Sequence, residues 1–148
     1  VGLLCDYFIA ADDEQAALTA TWLGGPSASP GALPTADLKG LDPIVPMATL
    51  ESMLTGGDVE ALVAANAGAS VAEAQDAVWV HRLSDALTDA LAGASPDRLR
   101  QVVEPWSRTE ELAGWWDPGD LAEALAELAD LARRARGGGG ALYCWMSL

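Results

Sequence analysis

The sequence of 148 residues predicts one α+β domain spanning positions 1–148. Its expected core is a small sheet of three strands, or slightly more, that contains both chain ends and carries several amphipathic helices. Three observations lead there. Short apolar, aromatic runs at 3–10, 77–83 and 141–147 read as strands. Between them lie alanine- and leucine-rich segments with helical spacing and caps, and Gly/Pro clusters mark the boundaries. A lone strand leaves its backbone N–H and C=O groups unpaired, so three strands in one chain are expected to pair with each other.

Each element has its own signature. Leu3, Cys5, Tyr7 and Ile9 alternate with Leu4, Asp6 and Phe8, which puts apolar groups on both faces, as in a strand covered on both sides. Asp12 or Asp13 caps a helix running to about Trp22, with Glu14 in the first turn where the macrodipole favours a carboxylate. The stretch GGPSASPGALP, residues 24–34, is a loop. Pro43 and Pro46 confine the next helix to about 46–55, Gly56 stops it, and Met47, Leu50 and Leu54 form its buried stripe. Asp58 caps a short helix carrying Leu62 and Val63 that ends around 66–68.

After the strand at 77–83, Ser84 begins a helix with Leu87 and Leu91 on one side, and Ser95-Pro96 begins another that turns Leu99, Val102 and Val103 inward. Ser107 and Glu110 have the spacing of a capping box, which predicts a further short helix. Asp117-Pro118 opens the longest helix, 118–136, striped by Leu121, Leu125, Leu128 and Ala132. Arg133, Arg134 and Arg136 sit at its C-terminal end, where positive charge suits the dipole. The glycines at 137–140 precede a strand instead of a helix and read as a flexible connector.

Several segments in this order resemble a known family. Gly2 opens an aromatic strand, LDPIVPMATLESMLTG is the first long helix, and SDALTDALAGASPDRLRQVV is followed by PWSR and a final amphipathic helix running into the closing strand. The arrangement resembles the YfbM-like family, small bacterial proteins described as a domain of unknown function. The closer resemblance is to an actinobacterial branch with the same GLLCDYF start and LYCW end. The resemblance covers most of the chain and implies a fold, helices packed on a small sheet. It implies no activity and no catalytic residues.

Charge narrows the partners. Twenty-two acidic residues against eight basic ones give a formal net charge of −14, which argues against nucleic acid and anionic membranes, since both attract basic surfaces. The charge fits either a basic protein partner or simple solubility of an alanine- and leucine-rich chain. No apolar run reaches membrane-spanning length and the start lacks a basic leader region. Val1, taken as a literally read valine start codon, places the native N-terminus near Gly2. The expected compartment is the cytoplasm, and the expected state a monomer or weak homodimer.

Phosphate loops, zinc spacings, nucleophile elbows and dinucleotide fingerprints do not occur in the sequence. No cofactor is expected, and no catalytic or metal-binding residue is assigned. Cys5 and Cys144 are the only cysteines, one in each terminal strand, and read as buried free thiols. The competing zinc site of Cys5, Cys144 and His81, with Asp6 next door, lacks the short local spacing of structural zinc sites. A disulfide conflicts with a reducing compartment, and a reactive cysteine needs a base and an electropositive setting.

Trp115 and Trp116 stand side by side between helices, with Trp106 and Arg108 shortly before them. One indole is expected to pack inward and the other to keep an exposed face. Trp106, Arg108, Trp115 and Trp116, joined by His81, form the candidate binding surface, because Trp and Arg are enriched at binding hot spots. The plainer alternative is a wedge of indoles capping the core. The resulting expectation is a non-enzymatic acidic interaction protein, a binder or an inhibitor- or immunity-type partner of a basic protein. The alternative is a small-molecule-binding protein or an unrecognised hydrolase with a Trp-lined cleft.

Overall fold

The final strand of the sequence, β5 (Ala141–Ser147), lies at the centre of the sheet, and six of its seven residues are buried. The computed structural model describes residues 3–27, 33–74 and 77–148. The elements that precede β5 are β1 (Leu4–Ala10), α1 (Asp13–Leu18), a 3-10 turn (Thr19–Thr21), β2 (Thr35–Asp37), α2 (Val45–Thr55) and α3 (Val59–Ala67). Then follow β3 (Ser70–Ala74), β4 (Val78–Arg82), α4 (Asp85–Gly93), α5 (Pro96–Ser107) and α6 (Pro118–Gly137). All strand pairs are antiparallel, in the order β2-β1-β5-β4-β3.

Both terminal strands lie in one sheet as direct neighbours, with Leu4 opposite Ser147 and Ala10 opposite Ala141. The sheet has five strands, however, where three, or slightly more, were expected. The two additional strands lie at its edges. β2 is only three residues long and follows Pro34, too short to show a period. β3 reads SVAEA, a composition with little strand preference. It is recruited by hairpin pairing to β4, where Glu73 lies opposite Trp79 and Ala74 opposite Val78.

The sheet is covered on both faces, which accounts for the near-continuous apolar run of β5. Cys5, Tyr7, Leu142, Cys144 and Met146 face the larger layer of helices and join Met47, Leu50, Leu87, Leu91, Val102, Trp106, Leu121, Leu125 and Leu128 in one cluster. On the other face Phe8, Tyr143, Trp145 and Val80 pack with Ala16 and Ala20 from α1 and the 3-10 turn. The rings of Phe8 and Tyr143 stack with centroids 5.7 Å apart. Both cysteines are buried and free.

Most helix starts are fixed by side chains close in sequence. Asp12 accepts from the Gln15 amide, Asp58 from Ala61, Ser84 from Leu87, Ser95 from Arg98 and Asp117 from Gly119 and Asp120. Each satisfies an amide that the first turn cannot bond internally. Two expected helical stretches differ. α1 stops at Leu18 and tightens into the 3-10 turn before Trp22. The short helix after Ser107 does not form. Ser107 ends α5, its hydroxyl donating back to the Glu104 carbonyl at 2.7 Å, and residues 108–116 run as consecutive turns. Residues 28–32 of the expected 24–34 loop lie outside the described residues.

Ion pairs fasten helices to the sheet and to one another. Arg82 on β4 reaches Asp13 at 2.8 Å and Asp85 at 2.9 Å, and the Tyr143 hydroxyl donates to Asp13 at 2.6 Å. Arg136 of α6 reaches Asp89 at 2.5 Å. The Tyr143 and Arg82 hydrogen bonds hold the Asp13 carboxyl below the usual carboxylate range. The ion-paired groups are all partly exposed, so their contribution to stability is modest, whereas Tyr143 is buried.

The glycines after α6 are not a free connector. Gly140 is buried, its amide donates to the Ala135 carbonyl at 2.8 Å, and a Cβ there would lie 2.7 Å from the Ala10 carbonyl oxygen. Gly140→Ala should therefore lower stability by about 1–3 kcal/mol, as overpacking does. Gly137→Ala, where a Cβ meets nothing within 4 Å, should leave the melting temperature equal or slightly higher. On α6, Leu125 is 1% exposed and Glu127 faces solvent. In chemical denaturation Leu125→Ala should cost about 2–5 kcal/mol while Glu127→Ala stays near neutral.

Candidate functional site

The irregular segment between α5 and α6 is held from below and presents an indole above. Trp106, near the end of α5, is fully buried, and its Nε1–H donates to the Pro46 carbonyl at 2.9 Å. The Thr109 hydroxyl donates to the Trp106 carbonyl at 2.8 Å. The amides of Leu112 and Ala113 then bond to the Thr109 carbonyl, and those of Trp115 and Trp116 to the Leu112 carbonyl. Leu112 is buried and pins the turn to the core. Gly114 has a φ of +81°, a conformation that side-chain-bearing residues rarely adopt, just before the two tryptophans. Trp116 packs against the core, whereas Trp115 is 82% exposed.

Beside these indoles is a cleft of about 570 Å³, lined by Leu3, Lys39, Gly40, Glu111, Trp115, Trp116, Asp117 and Asp120. Three distant segments build it. Leu3 leads into β1, Lys39 and Gly40 form the turn after β2, and the rest come from the α5–α6 connection and, for Asp120, the first turn of α6. The first two are tied by the Gly40 amide, which donates to the Leu3 carbonyl at 2.9 Å. Asp117 is also the N-cap of α6, so one residue both starts the helix and supplies charge to the cleft. Three carboxylates beside a bare indole suit a cation, attracted by the charges and by the negative face of the ring.

The structure divides the residues singled out from the sequence. Trp115 and Trp116 line the cleft. Trp106 supports it from inside the core without reaching it. Arg108 is exposed and bonded to Glu104, and is not part of the lining. His81 lies on β4, buried, in a different part of the sheet. Leu3, Lys39, Glu111, Asp117 and Asp120 were missed as cleft residues. The signal that could have drawn attention to Lys39 is that the sequence contains no other lysine.

His81 does meet Cys144. The two are directly opposite on β4 and β5, and Tyr7 is opposite Cys144 on β1, which makes a row across three strands. The Tyr7 hydroxyl donates to the Leu41 carbonyl. Burial pushes the Cys144 thiol well above its ordinary range, and the nearby Cys5 adds to the rise. Burial also holds His81 below the usual imidazole value, against the pull of Asp42 and of the Ala67 carbonyl. A fully buried, protonated thiol is no nucleophile. Among the described residues, no three His, Cys, Asp or Glu side chains group as a metal site.

No protein-family model matches the chain, and no curated protein or solved structure matches it. No helix among the described residues is long and apolar enough to cross a membrane.

Asp6 is a further perturbed carboxyl. It is opposite Asp37 on β2 and opposite Trp145 on β5. Partial burial, and then the Asp37 charge, raise its pKa from 3.8 to about 6. The folded chain therefore holds this proton more tightly than the unfolded chain. The resulting stabilisation is complete below 3.8 and is lost as pH rises through about 6. Asp6→Asn should raise the melting temperature well above pH 6, and the gain should shrink toward zero as the pH approaches 3.8.

Proposed function

We propose that the protein is a non-enzymatic binding partner of a basic protein and engages it through the cleft beside Trp115. The observation that carries the reading is the 82% exposure of Trp115 on a cleft wall shared with Glu111, Asp117 and Asp120. A soluble domain gains nothing for its own stability from an indole left in water. Against a cationic side chain of a partner, the same indole supplies contact area and a favourable ring face. The net charge of −14 would add long-range attraction and speed encounter with a basic surface.

The small-molecule reading has one observation in its favour, since about 570 Å³ falls within the usual range of ligand pockets. Such pockets enclose most of their ligand, however, and an indole exposed to this degree favours a protein surface over an enclosed ligand. For a hydrolase, the described lining offers carboxylates and one lysine but no hydroxyl, thiol or imidazole, so a serine- or cysteine-type nucleophile with its histidine base is not assembled there. The YfbM-like resemblance enters the proposal as a statement about the fold and brings no activity with it.

The test is a titration with a lysine- and arginine-rich peptide over a series of salt concentrations. Binding should weaken as salt rises. Trp115→Ala should keep the wild-type melting temperature and lose about 1–3 kcal/mol of binding, the range of a hot-spot residue. Glu127→Ala, on the outward face of α6, should change little. No loss in Trp115→Ala, with a loss in Glu127→Ala, would assign the binding to general charge and remove the cleft from it.

A further inference from the structure

Lys39 is the only lysine in the sequence, and it stands on the wall of an otherwise acidic cleft. Arg82, Arg100, Arg108 and Arg136 each hold a carboxylate, while Arg98, Arg133 and Arg134 make no ion pair among the described residues and are not in the lining of this cleft. Lys39 makes no ion pair among the described residues, although Glu111, Asp117 and Asp120 line the same cleft. The turn that carries it is tied through backbone groups. The Lys39 amide bonds Asp37 Oδ1 at 3.2 Å and the Gly40 amide bonds Leu3, so the side chain is not needed to hold the turn.

A cleft that took only an internal lysine or arginine of a partner would set Lys39 against a like charge, which costs affinity. A ligand bearing both signs a few ångströms apart would satisfy the carboxylates, the indole and the ammonium together. A polypeptide presents that pattern where its last residue is basic, because a terminal carboxylate then sits one side chain away from a cation. Trp115 itself is 82% exposed, so its ring is accessible to such a residue from solvent.

On the reading that the cleft engages a basic protein, we infer that it captures a partner's carboxyl-terminal arginine or lysine. The side-chain cation lies against Trp115 among Glu111, Asp117 and Asp120, and the terminal carboxylate meets the ammonium of Lys39. This is a form of chain-end recognition in which a lysine takes the place of a nest of backbone amides.

The experiment is calorimetric titration of the full chain with acetyl-Ala-Ala-Ala-Arg as the free acid, with its carboxamide, and with free arginine. Physiological ionic strength suits the test, since screening then removes attraction beyond about 8 Å. The free acid should bind about three-fold or more tighter than the amide, the worth of one exposed ion pair. Lys39→Gln should abolish that difference without weakening the amide. Trp115→Ala should weaken both peptides about five-fold, as loss of a cation–π contact does. Amide binding equal to or tighter than the acid would overturn chain-end capture and leave the basic-partner reading intact. Binding of neither peptide would end both. Free arginine binding tighter than the acid would assign the cleft to a small molecule and overturn the inference.

Discussion

Strand β5 is paired on both sides by strands that lie far from it in the sequence, β1 on one side and β4 on the other. Its two faces differ as well. Leu142, Cys144 and Met146 enter the large helical core, while Tyr143 and Trp145 enter the smaller one. Every other layer takes its position from this strand. α6 packs on the sheet it organises, and α1 is tied to it through the Tyr143 hydroxyl on Asp13. Even the close passage of Gly140 under Ala10 follows from the register that places Ala141 opposite Ala10.

The cysteines follow from the same constraint. They sit on the same face of adjacent strands because the ends pair, and apolar surroundings keep them as thiols. The row Tyr7, Cys144 and His81 has residue types that catalytic sites use, yet burial shifts the groups away from reactivity. The cleft beside Trp115 has the opposite character. Its walls are exposed, its charges lie near water, and its shape comes from connections instead of regular elements. Loops positioned by a rigid scaffold commonly carry recognition.

Legibility in the sequence tracked how local each interaction is. The caps at Asp12, Asp58, Ser84, Ser95 and Asp117 could be read because cap and amide lie two or three residues apart. β3 could not be read, because SVAEA becomes a strand only through its partner β4. Ser107 misled because a serine hydroxyl can cap the next helix or bond back to the preceding turn, and the sequence spacing serves both. Trp106 was placed on the surface since its hydrogen-bond acceptor, Pro46, lies 60 residues away. Of the cleft, the tryptophan pair was legible from Gly114 and Pro118 around it. Leu3 and Lys39 were not, because it takes the pairing of β1 with β2 and the Gly40–Leu3 hydrogen bond to bring them together, and the tertiary fold to set them beside residues 111–120.

The central place of β5 has a consequence for biosynthesis. It is the last of the five strands to be made, and until it emerges from the ribosome β1 and β4 each display an edge awaiting a partner. The helices can gather earlier, since their caps and stripes are local, but the two halves of the sheet have nothing to join them. A nascent chain in that condition exposes apolar faces and unpaired backbone together, the combination that aggregates and that chaperones cover. Completion of the sheet thus waits for one strand, the last of the five to be made.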